Sequence, residues 1–259
     1  MKIAESLPES FQRFFINVAG IGRFTKQFFR QVFKPPFEFR EILNQAYRLG
    51  YDSLFLVGIT GFIIGMVMTL QTKPTLEQFG AESWLPSMVS VSIIREIGPV
   101  LTALICAGKV GSGIGAELGS MKVSEQIDAM TVSGANAFNY LVVTRVIATT
   151  ITVPILVYYA DAISLVGSYV GVNIEGNVSP SLFYKQSLDI LVFSDIVPAT
   201  IKTLFFGFAI GIVGCYKGAT ADKGTLGVGS AANSAVVISS LMIFVIDLIA
   251  VQLTQLFIR

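Results

Sequence analysis

The sequence predicts an all-α, multi-pass membrane protein with about five transmembrane helices and an interfacial helix at its N-terminus. Hydrophobic residues make up 53% of the 259 residues and charged residues only 14%, whereas soluble domains average about 25% charged residues. The chain also contains several apolar runs close to the roughly 20 residues that a helix needs to cross a bilayer. Together these observations favour a helical membrane protein over a soluble globular domain.

The composition also excludes several classes of function. A formal net charge of +1 gives no electrostatic footprint for nucleic acid. The chain has no histidine, and its two cysteines, Cys106 and Cys215, both lie in apolar runs, so neither a disulfide framework nor a metal site is predicted. No G-x-x-x-x-G-K-[ST] pattern is present, and the HExxH, GxSxG and CxxC patterns are also missing. We therefore expect no catalytic residues, no metal and no cofactor, and any energy must come from a partner or an ion gradient.

Five spans are predicted from hydropathy. They lie at approximately 53–70, 84–107, 142–172, 196–216 and 235–257. The third run is long enough to make six spans an alternative, and Pro154 could kink it. In the first span, Gly61 and Gly65 form a small-residue face suited to close helix packing.

The charges of the connecting segments predict the orientation. The region before the first span is rich in basic residues, which indicates a cytoplasmic N-terminus; they include Arg23, Lys26, Arg30, Lys34, Arg40 and Arg48. Residues 173–195 carry Lys185 against Glu175, Asp189 and Asp195 and are predicted to be external, whereas residues 217–229 are predicted to be internal. With five spans, the C-terminus is external.

Residues 1–34 are predicted to form an amphipathic interfacial helix, with residues 35–259 as the transmembrane domain. Nine of the twenty phenylalanines lie in the first forty residues. Several apolar side chains recur there at helical spacing; they include Phe11, Phe14, Phe15, Phe28 and Phe29. Basic residues between them favour a helix in the membrane interface, with an ordinary packed amphipathic helix as the alternative. Pro35 and Pro36 are predicted to end it.

Charged residues fall inside four of the predicted spans, among them Asp161 in the third. Arg95 and Glu96 lie in the second, Lys202 near the start of the fourth, and Asp247 near the middle of the fifth. Inserting such a charge into the membrane costs roughly 2.5–3.5 kcal/mol on insertion scales. These residues therefore favour a functional site over a purely structural ion pair. Adjacent helical positions differ by about 100°, so Arg95 and Glu96 are expected to meet different partners. Asp247 also needs a partner, whereas Lys202 is expected to extend toward the interface.

A glycine-rich turn at 108–113 is predicted to follow the second span. A short polar helix then covers residues 116–130, in which charged residues alternate with apolar ones. It is too short and polar to span a membrane. Charge pattern alone leaves two interpretations open, a solvated loop helix and a docking helix for a cytosolic partner.

Several motifs, in order and spacing along nearly the whole chain, resemble the MlaE-type (YrbE-type) permeases of ABC transporters. They are Gly61-Phe62-Ile63-Ile64-Gly65-Met66-Val67, Arg95-Glu96-Ile97-Gly98-Pro99-Val100, Gly108-Lys109-Val110-Gly111-Ser112, Ala116-Glu117-Leu118-Gly119-Ser120-Met121, Glu125-Gln126-Ile127-Asp128-Ala129-Met130, Ile201-Lys202-Thr203 and Asp247. The central block, from Arg95 to Met130, is specific to that family.

The resemblance implies a homodimer in the inner (cytoplasmic) membrane of a bacterium with two membranes. It implies a cytosolic ABC ATPase subunit that uses the ATP, and a periplasmic Mce-domain lipid-binding protein. The substrate would be phospholipid or a related lipid moved between inner and outer membranes.

The resemblance also implies two sets of site residues. The lipid cavity would be lined by Met68, Leu76, Phe79, Arg95, Glu96 and Asp247. The helix at 116–130 would be the cytoplasmic coupling helix that docks into the ATPase, with contacts from Glu117, Gly119, Met121, Glu125, Gln126 and Met130.

Two other classes of function stay open at this stage. An ion-coupled secondary lipid transporter would use the buried carboxylates as ion sites. An intramembrane lipid enzyme, without histidine, would have only Glu96, Asp161, Asp247 and Lys202 for acid–base work. Association with an ATPase would favour the ABC transporter over both.

Overall fold

The computed structural model describes residues 9–35, 37–174 and 178–257. In these residues the chain forms helices and no β-strand, as the composition predicts. The helices are α1 (Glu9–Gln31), α2 (Phe39–Gln78), α3 (Glu82–Val123), α4 (Gln126–Val132), α5 (Asn139–Asn173), α6 (Pro180–Asp189), α7 (Phe193–Ala219) and α8 (Thr225–Phe257). Five of them, α2, α3, α5, α7 and α8, are long and apolar enough to cross a membrane. The count of five spans is confirmed, and the six-span alternative is wrong because α5 runs unbroken through Pro154.

The N-terminal helix α1 packs on the rest of the chain along one face. Phe28 is buried, and the Phe24 ring lies against the rings of Phe138 and Tyr216. Lys217 Nζ donates a hydrogen bond to Asn17 Oδ1 at 2.7 Å. The other face leaves apolar side chains exposed, among them Ile16, Val18, Phe29 and Phe33. The side chains of Phe11, Phe14 and Phe15 and the residue Pro36 lie outside the described part of the structure. An amphipathic helix is therefore present, and its contact with the membrane interface stays a prediction.

Helix α2 packs along α5 through small residues. A Cβ added to Gly65 would collide with the carbonyl of Ser164, and one added to Gly167 would collide with that of Phe62. The close approach allows Ser164 Oγ to donate to the carbonyl oxygen of Gly61 at 2.8 Å. The predicted packing role of Gly61 and Gly65 is confirmed, since glycine lets the two backbones meet.

Helix α3 does not end at the glycine-rich segment. The prediction of a turn at 108–113 is wrong, because the helix continues to Val123 and only widens into a π-helical turn at Ala107–Gly111. Apolar surroundings favour a helix even at glycines, since every backbone N–H and C=O then has a partner within the segment. A Cβ on Gly111 would touch Ile210 and one on Gly214 the Gly111 carbonyl, so glycines bring α3 and α7 together.

The segment 116–130 is two helices rather than one. Its first part is the last two turns of α3, which stops at Val123, and α4 begins at Gln126. Between them Glu125 has a φ of 58°, a left-handed conformation that interrupts a right-handed helix. The single helix predicted there is therefore wrong, although its ATPase-docking role stays a prediction.

The last two spans begin earlier than predicted. Helix α7 starts at Phe193 rather than near 196, and α8 starts at Thr225 rather than near 235. The early turns of α8 are rich in small residues, which lowers their hydropathy but suits close packing. A Cβ on Gly115 of α3 would lie 3.3 Å from both Ala232 and Ala235, so this part of α8 rests on α3.

Candidate functional site: a buried charge cluster and its cavity

Arg95 and Glu96 occupy a second π-helical turn in α3, at Ile93–Ile97. A π turn adds a residue to the helical repeat and frequently marks a functional site. The Nη2 atom of Arg95 lies 2.5 Å from Asp195 Oδ1, and Glu96 Oε2 lies 2.6 Å from Lys202 Nζ. The prediction that these neighbours meet separate partners is confirmed.

Lys202 is the centre of the cluster. Its side chain is only 4% exposed, and its Nζ donates to Glu96 Oε2 and, at 2.9 Å, to Asp247 Oδ1. It lies nine residues after Phe193, about 14 Å along the helix. The prediction that Lys202 extends to the interface is wrong, because two carboxylates hold its ammonium inside the protein. Asp247 has the partner that its isolation in an apolar run required.

Asp195 is the member of the cluster that sequence reasoning missed. It was counted among the external loop charges, but it lies in the first turn of α7 and its side chain is 4% exposed. Its Oδ2 accepts the backbone N–H of Val192 at 3.2 Å, which satisfies a free donor at the helix start. The available signal was an acidic residue just before an apolar run, since acidic residues are enriched in the first turn of a helix.

The cluster lines a cavity of about 880 Å³ between α3, α7 and α8. Eight of its thirteen lining residues carry charged or polar side chains. The walls are formed by Arg95, Glu96, Ser194, Asp195, Pro198, Ala199, Lys202, Ala250, Val251, Gln252, Thr254, Gln255 and Leu256. The volume falls within the range of about 300–1,000 Å³ typical of ligand sites.

The remaining residues predicted for the lipid cavity lie elsewhere in the single chain. Met68 and Leu76 pack beside a second apolar cluster, formed by Leu85, Val89, Ile93, Val172 and Phe183. Phe79, just after α2, is 79% exposed. The structure thus brings Arg95, Glu96 and Asp247 together and leaves Met68, Leu76 and Phe79 outside the charged cavity. Their contact with lipid stays a prediction.

Asp161 on α5 is a further buried carboxylate near this site. Among the described residues its Oδ1 has no hydrogen-bond partner, and it presses against Gly98, where a Cβ would collide with it. The absence of a side chain at Gly98 therefore allows α3 and α5 to meet beside this carboxyl group. A void of about 10 Å³ lies there, bordered also by Tyr158 and Thr200.

The residues predicted to contact an ATPase fall into two groups. Glu117 lies 3.1 Å from Arg145 Nη2 and 3.6 Å from Arg48 Nη1, so it joins α3 to α5 and α2. Gly119 is buried against the start of α8, and Met121 and Met130 pack partly against the main core.

Glu125 and Gln126, by contrast, are exposed, as is Val132 at 89%. These three side chains are accessible at the two ends of α4.

The described residues contain no candidate metal site. No cluster of three or more His, Cys, Asp or Glu side chains suited to a metal ion occurs among them. Cys106 and Cys215 are both buried, free thiols, and they behave as small apolar side chains in the core.

Five helices long and apolar enough to cross a membrane, three of which enclose a cavity lined with charges, define a polytopic membrane protein. Residues 42–253 match the family described as Permease MlaE, and the chain therefore belongs to the MlaE permease family, whose members are permeases of ABC transporters. The chain is 35% identical over 253 residues to a probable ABC transporter permease protein of Rickettsia bellii, with 98% of each chain covered. It is 35% identical over 221 residues to a probable ABC transporter permease protein of Synechocystis, with 85% of this chain and 84% of the relative covered.

A plant relative is also similar. The chain is 32% identical over 219 residues to the chloroplastic protein TRIGALACTOSYLDIACYLGLYCEROL 1 of Arabidopsis thaliana, covering 85% of this chain and 63% of the relative. As an ABC transporter permease, the protein works with a partner ATPase.

Proposed function

We propose that this permease moves phospholipid or a related lipid between the inner and outer membranes of a bacterium, driven by a separate cytosolic ATPase. The observation that carries the proposal is the polar cavity between α3, α7 and α8, with ion pairs inside helices that are otherwise apolar. Charges in that setting cost free energy, which favours a functional explanation. The plant relative, whose name contains that of a glycerolipid, supports a lipid substrate.

The cavity suits the polar end of a lipid better than its acyl tails. Arg95 and Glu96 offer charge, and side chains such as Gln252 and Thr254 offer hydrogen bonds. The tails would lie against apolar surface outside this cavity. Met68, with its flexible unbranched side chain, suits varied acyl chains, and Leu76 and Phe79 would extend that surface.

We infer that the working unit is a homodimer with an ATPase at its cytoplasmic side. Helix α8 is only 17% buried over its most apolar window and carries outward apolar side chains such as Leu241 and Phe244. That face is available for lipid tails and for a second copy. The ATPase would dock on the exposed residues around α4, at Glu125, Gln126 and Val132, and a periplasmic Mce-domain protein would receive or deliver lipid at the opposite side.

The orientation proposed from basic residues has the N-terminus in the cytoplasm. The charged cavity lies near the beginning of α7 and the end of α8. In that orientation it lies toward the periplasmic half of the membrane, where a periplasmic lipid-binding partner could reach it.

The test is reconstitution of the permease with its ATPase in phospholipid vesicles that carry a labelled phospholipid. We expect lipid transfer to an acceptor that depends on ATP hydrolysis and on both subunits. Transfer driven by an ion gradient without ATP would instead favour the secondary transporter, and chemical alteration of the lipid by the permease alone would favour the enzyme.

A further inference from the structure

We propose that Arg95 and Glu96, which are adjacent in the chain, together bind a zwitterionic headgroup. The lipid phosphate would bind to Arg95 and the ammonium to Glu96. The cavity would then prefer phospholipids that carry an amine, such as phosphatidylethanolamine, over anionic phospholipids that lack one. This inference rests on the proposed lipid-transport function and specifies its substrate class.

The side chains of Arg95 and Glu96 are half exposed at the cavity, whereas the oppositely charged side chains that pair with them are buried. The side chain of Arg95 is 52% exposed and that of Glu96 is 47% exposed. Their partners, Asp195 and Lys202, are each 4% exposed. A ligand in the cavity therefore meets one guanidinium and one carboxylate, each held by an ion pair to a buried partner.

Each group keeps hydrogen-bonding capacity for a ligand. A guanidinium has five N–H donors, and a carboxylate has two oxygens with several acceptor sites. The ion pair to Asp195 uses Nη2 of Arg95, and the hydrogen bond from Lys202 uses Oε2 of Glu96. Arg95 can thus bind a phosphate in the forked geometry that guanidinium favours, while Glu96 accepts from an ammonium.

The charge balance of the cluster also favours an added cation. Lys202 is shared between Glu96 and Asp247, whereas Arg95 is matched by Asp195 alone. Two cations thus face three carboxylates. An anionic lipid would bring a further negative group to these carboxylates, whereas a zwitterion brings an ammonium to them and a phosphate to Arg95.

The wild-type test is a lipid competition. The permease–ATPase complex is placed in nanodiscs of equal parts phosphatidylethanolamine and phosphatidylglycerol with identical acyl chains, re-extracted in mild detergent, and its retained lipid is measured by mass spectrometry. These lipids share the phosphate and differ in the ammonium. We expect enrichment of phosphatidylethanolamine by about tenfold, the effect of one charge-assisted hydrogen bond worth about 1.5 kcal/mol.

The variant test uses Glu96→Gln, which keeps shape and removes the charge. We expect the preference to fall to about equal retention of the two lipids, while Arg95→Gln lowers retention of both. Glu82→Gln, at an exposed position on the same helix and outside the cavity, should leave the wild-type ratio unchanged.

Two results would overturn the inference while leaving lipid transport intact. One is retention of lipid by the wild-type complex at the ratio of the surrounding nanodisc, a measurement that needs no variant to fold. The other is an unchanged preference in Glu96→Gln. Absence of retained lipid together with absence of ATP-dependent lipid transfer would overturn the proposed function itself.

Discussion

Lys202 Nζ lies 2.6 Å from Glu96 Oε2, although the two residues are 106 positions apart in the chain. The same ammonium lies 2.9 Å from Asp247 Oδ1. Lys202 therefore joins α7 to α3 and α8 through ion pairs beside the cavity. Its ion pairs with two carboxylates in an apolar setting make it a structural requirement of the site, beside any role in binding lipid.

Replacing Lys202 with Met should destabilise the protein strongly. Two carboxylates would lose their shared cation, and breaking a buried pair by removing one partner costs about 3–5 kcal/mol. We expect much lower abundance in the membrane and a lower temperature of unfolding in detergent, measured by fluorescence-detected size exclusion. The matched control is Lys185→Met on α6, and equal abundance of the two variants would contradict the structural role of Lys202.

The ion pairs of Glu117 should differ in their contribution to stability. Arg145 is 4% exposed and lies 3.1 Å from Glu117, whereas Arg48 is 65% exposed and lies 3.6 Å from it. Arg145→Leu should therefore lower the unfolding temperature clearly, because Glu117 is left without its buried partner. Arg48→Leu should cost about 0–1 kcal/mol, as exposed ion pairs do. Equal shifts in thermal unfolding for the two variants would reject this ranking.

Charge reversal at Glu117 and at Glu125 should have different effects, although both residues belong to the segment predicted to dock on the ATPase. Glu125→Lys changes an exposed residue and should weaken ATPase association while permease abundance stays normal. Glu117→Lys places a cation against Arg145 and Arg48 and should lower the abundance of the permease itself. The measurement is the amount of ATPase copurified per permease. Normal association and activity for Glu125→Lys would remove that residue from the docking surface.

Gly65→Ala should disturb the packing of α2 on α5. The added Cβ would collide with the Ser164 carbonyl, and forcing extra volume into a close contact typically costs about 1–3 kcal/mol. Gly108→Ala is the control, since nothing lies within 4 Å of the position its Cβ would take. Thermal unfolding that is equally affected by both substitutions would contradict the proposed close approach.

Much of the fold follows from the sequence, because hydropathy depends on local composition. The five spans, the close packing at Gly61 and Gly65, and the need of Asp247 for a partner were all predicted. The ends of helices were less accurate where small residues such as those of early α8 lower hydropathy but favour packing. The left-handed Glu125 was not predicted either, since no glycine marks that break.

The sequence predicts the charged residues of the site better than it predicts their partners. Intramembrane charge identifies Arg95, Glu96 and Asp247 individually, since each is costly without a partner. The identity of the partners depends on contacts between distant helices. The sequence alone therefore predicts Asp195 as a loop charge and Lys202 as an interfacial lysine. Their partners are identified only by the packing of α3, α7 and α8.

If the permease carries lipid as proposed, the charged cavity holds lipid during the ATPase cycle. The most direct measurement places a photocrosslinking residue at Ala250 in the cavity wall and a second at Ile155, which is 61% exposed on α5. Lipid adducts are then quantified with and without ATP hydrolysis in the reconstituted complex. We expect lipid capture at Ala250 that changes with ATP hydrolysis and constant capture at Ile155. Absence of lipid at Ala250, or capture there that does not respond to ATP, would contradict this expectation.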